Sequence, residues 1–190
     1  KYTPVPGITE LREAIVDKFE RDNGLSYEAN QVIVSCGAKH TIYNILQAIC
    51  NPGDEIIFAA PYWVSYIEMV KLADATPIVI NTTPDQNFAL TPDQIKSAVT
   101  EKTKAIIIGS PSNPTGTTYS TESLQMIAEL AVEHQFYLIS DEIYEALLYD
   151  GAKHRSLASF GDAVKSLTFV VNGVSKAYSM TGWRIGYTAG

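Results

Sequence analysis

One lysine and one arginine, Lys176 and Arg184, stand eight positions apart in a run of small and apolar residues, VNGVSKAYSMTGWRIGY, residues 171–187. A lysine amine set among apolar groups or near other cations loses its proton more readily and becomes a nucleophile. An arginine presents a planar fork of donors that grips a phosphate at two points. Two surface cations are the plain alternative, but they leave Gly173, Gly182, Trp183 and Gly186 without a purpose. The pair points to a site that holds a small anion and uses an amine.

Other residues with chemical potential are scattered along the chain. Gly37-Ala38-Lys39 falls where an apolar run gives way to a helical pattern. It is either a tight strand–helix turn or a place where backbone N–H groups and a helix dipole meet a phosphate. Trp63, after Pro61-Tyr62, is either core or a ring that stacks on a flat heteroaromatic group. In SPSNPTG, residues 110–116, two prolines restrict the residues before them, Asn113 included. That segment is a rigid surface loop or a mount for a fixed amide. Asp141 ends an otherwise apolar run, where a carboxylate needs a partner unless it caps a helix, and Tyr144 lies one helical turn beyond it.

The elements that must position these residues are legible from periodicity. Ile8, Leu11, Ile15 and Phe19 repeat at helical spacing over 8–22, and Asn23-Gly24 stops that helix. Helices are also expected over 38–50, 63–72, 91–99 and 120–134, with Thr91-Pro92 and Ser120 as caps. Strands are expected over 31–35, 55–61, 76–81, 104–110, 136–141 and 166–173. Alternation of strand and helix, with several strands apolar throughout, predicts an α/β fold: a mostly parallel sheet covered on both faces. In such sheets ligands bind beyond the carboxyl ends of the strands. Five predicted strands end in CGAKH, PYWVSY, SPSNPTG, DEIY and VSK, so the unusual residues converge on one edge.

Bulk properties narrow the classes. The 190 residues suit one domain, and 46% apolar with 18% charged residues is ordinary for a globular chain. A net charge of −7 argues against a nucleic-acid partner. Two cysteines, Cys36 and Cys50, make no disulfide scaffold or zinc motif, and a reducing compartment, the cytoplasm, is expected. No apolar run reaches the roughly 18 residues of a membrane span. The chain begins KYTPVPG and stops in IGYTAG, which reads as the middle of a strand, so a segment of a longer protein is expected. His40, His134, His154 and Cys36 are assigned structural roles.

Taken together, the inventory fits one kind of ligand. It has a phosphate, a flat ring, a basic ring nitrogen, a ring hydroxyl and an aldehyde. Pyridoxal 5′-phosphate carries all five, and lysine with an acidic partner for the ring nitrogen is its usual setting. The chain also resembles the class I, fold-type I aminotransferases that use this cofactor, most closely the gamma subgroup of bacterial aspartate aminotransferases. The resemblance runs through YTPVPGITELREAI, SCGAKHTIYN, APYWVSY, SPSNPTG, SDEIY and SKAYSMTGWRIGY, in the family's order.

The resemblance implies residue roles. Lys176 matches the Schiff-base lysine and proton shuttle, and Asp141 the partner of the ring nitrogen. Tyr144 and Asn113 match the partners of the ring oxygen, with Asn113 also meeting the substrate carboxylate. Trp63 matches the stacking ring, beside the substrate as well as the cofactor. Gly37, Ala38, Lys39, Ser175 and Arg184 match the phosphate positions. Lys39 matches a lysine associated with the distal carboxylate of aspartate or glutamate. Tyr2 matches a tyrosine that reaches the phosphate of the neighbouring subunit of a homodimer.

The family's arginine for the substrate α-carboxylate lies in a C-terminal small domain. That domain and the N-terminal arm lie outside this sequence, so residues 1–190 correspond to a seven-stranded-type large domain. Implied is a ping-pong exchange between an amino acid and a 2-oxo acid, with little turnover by the segment alone. Lyases, decarboxylating synthases and other transaminases share the fold, and related domains serve as effector sensors in transcription regulators.

Overall fold

The computed structural model describes residues 2–190. Seven strands form one sheet: β1 Val32–Ser35, β2 Glu55–Ala60, β3 Thr76–Asn81, β4 Thr103–Gly109, β5 Tyr137–Asp141, β6 Thr168–Gly173 and β7 Gly186–Ala189. Their spatial order is β1-β7-β6-β5-β4-β2-β3, and only β7 runs antiparallel to its neighbours. The helices are α1 Thr9–Lys18, α2 Ala38–Ile49, α3 Ser65–Leu72, α4 Pro92–Ala98, α5 Thr121–His134 and α6 Asp162–Lys165. The expected α/β class, with a mostly parallel sheet between two helical layers, is the observed one. No helix among the described residues is long and apolar enough to cross a membrane.

Strand side chains alternate between two cores, as the pleat requires. Ile56, Phe58, Ile107, Ile139 and Val171 pack on one face with Ile42, Ile45 and Leu46 of α2 and Met69 and Val70 of α3. Ile57, Ile106, Ile108 and Leu138 pack on the other with Ile95 of α4 and Leu124, Ile127 and Ala131 of α5. Ile15 of α1, with Phe19, extends this second layer over Val32, Val170 and Tyr187. Each of these fully buried aliphatic side chains contributes about 1.5–3 kcal/mol by leaving water.

Local signals set the helix ends. Thr91 accepts from the Gln94 N–H, and the Gln94 side chain accepts from the Thr91 N–H, a reciprocal cap with Pro92 at the first turn. Ser120 caps α5 by accepting from the Ser123 N–H. Three local features differ from the sequence expectation. The first helix turns π-helical over Phe19–Asn23 before Gly24 closes it in the left-handed region. The segment after β5 is a pair of hydrogen-bonded turns, Glu145 N–H to Glu142 and Leu147 N–H to Tyr144, rather than a helix. The short α6, too brief to show a period, precedes β6.

Candidate active site

The parallel strands deliver their carboxyl ends to one edge, and the register aligns the residues there. Gly109 of β4 faces Asp141 of β5, and Gly173 of β6 faces Gly186 of β7, which also faces Ser35 of β1. A cavity of about 270 Å³ opens along this edge. Ala38, Lys39, Trp63, Asn113, Asp141, Tyr144, Ser175, Lys176 and Arg184 all line it. Residues 38 to 184 in the chain thus meet in one place.

At one end the cavity meets α2. Gly37, at φ 87°, is its N-cap and supplies no side-chain acceptor, so the first N–H groups of the helix lack a side-chain cap. Free N–H groups and the helix dipole make this end attractive to an anion. Arg184, itself in the left-handed region, closes over the same turn. It donates to the Thr181 carbonyl at 2.8 Å and to the Cys36 carbonyl at 3.4 Å. Glycine is required for this approach: a Cβ on Gly37 would overlap the Arg184 guanidinium, and a Cβ on Gly186 would overlap the Gly37–Ala38 peptide. Lys176 and Arg184 are exposed side chains at the cavity's rim rather than buried ones.

The centre of the cavity holds a carboxylate. Asp141 is 5% exposed. One of its oxygens accepts from Tyr66 Oη at 2.6 Å, and the other accepts a long bond from the Ile143 N–H at 3.4 Å. Burial pushes the carboxyl up to about 6, against the opposing pull of the Tyr66 hydrogen bond. Among the described residues no lysine or arginine pairs with it, so the carboxylate is open to a cationic or proton-bearing partner from the cavity side. Tyr66 was not singled out from the sequence.

Trp63 stands edge-on to Tyr66, with ring centroids 5.6 Å apart, and Lys39 Nζ lies 5.1 Å from the centre of a Trp63 ring. Lys176 Nζ lies 5.6 Å from the centre of the Tyr144 ring. Asn113 sits on a loop tied by Ser112 N–H to the Thr117 carbonyl at 2.8 Å and by Tyr119 N–H to Ser110 Oγ at 3.2 Å. Gly109, Pro111, Ile143 and Thr181 complete the wall and were not predicted. Tyr2 is fully exposed, at 102%, and does not line the cavity.

Comparison with known proteins identifies the family. The description "Aminotransferase class I and II" matches residues 1–190. The aspartate aminotransferase of Bacillus sp. strain YM-2 is 55% identical over 190 residues, all of this chain and 48% of the relative. The aspartate/prephenate aminotransferase of Thermus thermophilus is 50% identical over 190 residues, again 48% of the relative. A structure of the Thermus thermophilus aspartate aminotransferase with maleate superposes with a TM-score of 0.96 at 49% identity, covering 100% of this chain and 49% of that one. The chain therefore spans about half the length of the relatives it matches. With this match over its whole length, the chain belongs to the class I and II aminotransferase family.

Proposed function

We propose that the protein carrying this chain is a pyridoxal-phosphate-dependent aminotransferase. Its reaction is a ping-pong exchange of an amino group between a dicarboxylic amino acid, aspartate or glutamate, and a 2-oxo acid. The family is pyridoxal-phosphate-dependent. The single observation that carries the reading is Asp141, a buried carboxylate without a cationic partner among the described residues, in the same cavity as the Lys176 amine and the Arg184–α2 anion end. The donor set fits the cofactor at each of its polar groups.

When bound, the cofactor supplies an aldehyde that takes up amines and a ring that accepts electron density. Lys176 supplies the amine that holds the aldehyde and, once displaced by substrate, moves a proton at its Nζ. Asp141, whose second oxygen has only the long bond from the Ile143 N–H, would keep a proton on the ring nitrogen. Tyr144 and Asn113 serve the ring oxygen, and Trp63 covers the ring face. The N–H groups of Gly37, Ala38 and Lys39, with Ser175 and Arg184, hold the phosphate. Lys39, beside Trp63 at the cavity wall, takes the distal carboxylate of the substrate.

We further assign residues 1–190 to the large domain of the enzyme. The α-carboxylate arginine then lies outside this chain, and Tyr2 serves the site of a second copy in a homodimer. Cys36 and Cys50 are both free thiols, in keeping with a cytoplasmic setting. The test is a visible absorbance spectrum of the intact protein with pyridoxal phosphate, before and after borohydride. A reducible band that becomes a covalent adduct on the Lys176 peptide, and is lost in Lys176→Ala, is expected. An adduct that persists in folded Lys176→Ala protein refutes the assignment.

A further inference from the structure

The turn that carries Tyr144 has a charged reverse side. Asp141, Ile143 and Tyr144 line the cavity, whereas Glu142 and Glu145 do not. Glu142 is 1% exposed. One of its oxygens accepts from Ser140 Oγ at 2.8 Å and Ser156 Oγ at 2.6 Å, and the other lies 2.8 Å from His154 Nε2. Glu145 pairs with Lys18 Nζ and accepts from Asn23 Nδ2 at 2.8 Å. Lys18 also donates to Asn23 Oδ1 at 2.8 Å. His154 Nε2 lies 3.9 Å from Glu145, which joins the two halves into one network.

Burial works against a charged His154, but the hydrogen bond and charge of Glu142, with Glu145 behind it, raise the imidazole above its ordinary 6.5. Lys18 and His154 are the partners of the two carboxylates. Tyr27 and Tyr187 face the same carboxylates, and burial pushes both phenols up, so they stay neutral.

Lys18 and Asn23 reach Glu145 together because the helix changes its winding between them. Five positions in an α-helix of 3.6 residues per turn lie about 140° apart. The π-turn over Phe19–Asn23 brings positions five apart onto one side. Stability alone does not call for such an arrangement. A buried ion network replaced by well-packed apolar groups is commonly no less stable. What a fully satisfied network does give is one defined geometry.

We infer that Lys18, Asn23, Glu142, Glu145 and His154 are positioning residues for Tyr144, fixing from behind the turn whose front carries the phenol. This rests on the reading of Tyr144 as a partner of the cofactor's ring oxygen. The π-turn of the first helix is then part of the site, although it lies on the far side of the turn from the cavity.

The experiment is a pH titration of the visible absorbance of the cofactor-loaded, intact protein. Tyr144→Phe is the reference. Loss of a donor to the ring oxygen is expected to move the midpoint up by roughly 0.5–1 unit. Lys18→Met, which leaves Glu145 without its cation, is expected to move it the same way. The double variant is expected to move it no further than Tyr144→Phe alone, since the two act through one group. Lys18→Arg should restore the wild-type midpoint.

A loaded Lys18→Met protein with a wild-type midpoint, whatever its Tm, overturns the proposal, and so does an additive double variant. Should Lys18→Met fail to fold, Asn23→Ala removes hydrogen bonds at a half-buried position and is read the same way. No shift in Tyr144→Phe itself refutes the underlying role of Tyr144, and this is seen before any network variant is measured.

Discussion

Asp141→Asn is expected to make the cofactor-free protein more stable at pH 7 while removing its chemistry. The carboxyl titrates near 3.8 when exposed and is pushed up to about 6 in the fold, chiefly by burial. The folded state therefore binds a proton more tightly than the unfolded one, and stability falls as pH rises through this window. The destabilisation is absent below about pH 4, where the group is protonated in both states, and fully present by pH 7. A rise of about two units at about 1.4 kcal/mol each amounts to about 3 kcal/mol. Asparagine resembles the neutral carboxyl in shape and can still accept from Tyr66, so about 2–3 kcal/mol should be recovered.

Urea denaturation of the cofactor-free protein reads this directly. For a slope of about 2 kcal/mol per molar, the midpoint should rise by about 1–1.5 M at pH 7. The gain should shrink to near zero at pH 4. With cofactor bound, the wild type should regain the lead, because a protonated ring nitrogen gives Asp141 the partner it lacks. An Asp141→Asn protein that is no more stable than wild type at pH 7, or equally stabilised at both pH values, would refute the reasoning.

Two further outcomes are expected. Gly186→Ala puts a methyl group against the Gly37–Ala38 peptide, overpacking that costs about 1–3 kcal/mol and lowers Tm by about 2–12 °C in calorimetry. Gly182→Ala, which meets nothing within 4 Å, is the control and should leave Tm unchanged. Lys39→Leu should lower kcat/KM of the intact enzyme for aspartate by about 10- to 100-fold, the worth of one charge-assisted hydrogen bond. Its effect on an uncharged amino acid should be small, and an equal loss for both would remove Lys39 from the distal-carboxylate role.

What could be read in the sequence was whatever leaves a local mark. Lys176 and Arg184 stood out because glycines surround them, and the structure shows why two of those glycines matter: Gly173 and Gly186 pair across β6 and β7 at the cavity edge. Strand and helix positions followed from period and caps. The order of the strands did not, because crossovers of similar length leave no trace of which neighbour they skip. Tyr66 was not singled out, and its bond to Asp141, 75 residues away, has no local signature. His154 is assigned a structural role, and Glu142, Glu145 and Lys18 carry no mark that sets them apart in the sequence. Only the fold reveals that they are buried together, since burial of a charge depends on partners brought from 127 residues away.

The place of β7 has a consequence for how the molecule comes into being. β1 is hydrogen-bonded to the sheet only through β7, the last of the seven strands in chain order. During synthesis, β1 emerges long before the strand that gives it a seat. Arg184 immediately precedes that strand and arrives with it. Trp63, Asp141 and Lys176 are therefore all made before Arg184 and the strand that seats β1. Seating of β1 on β7 and the arrival of Arg184 at the turn before α2 are thus one event in the assembly of the chain.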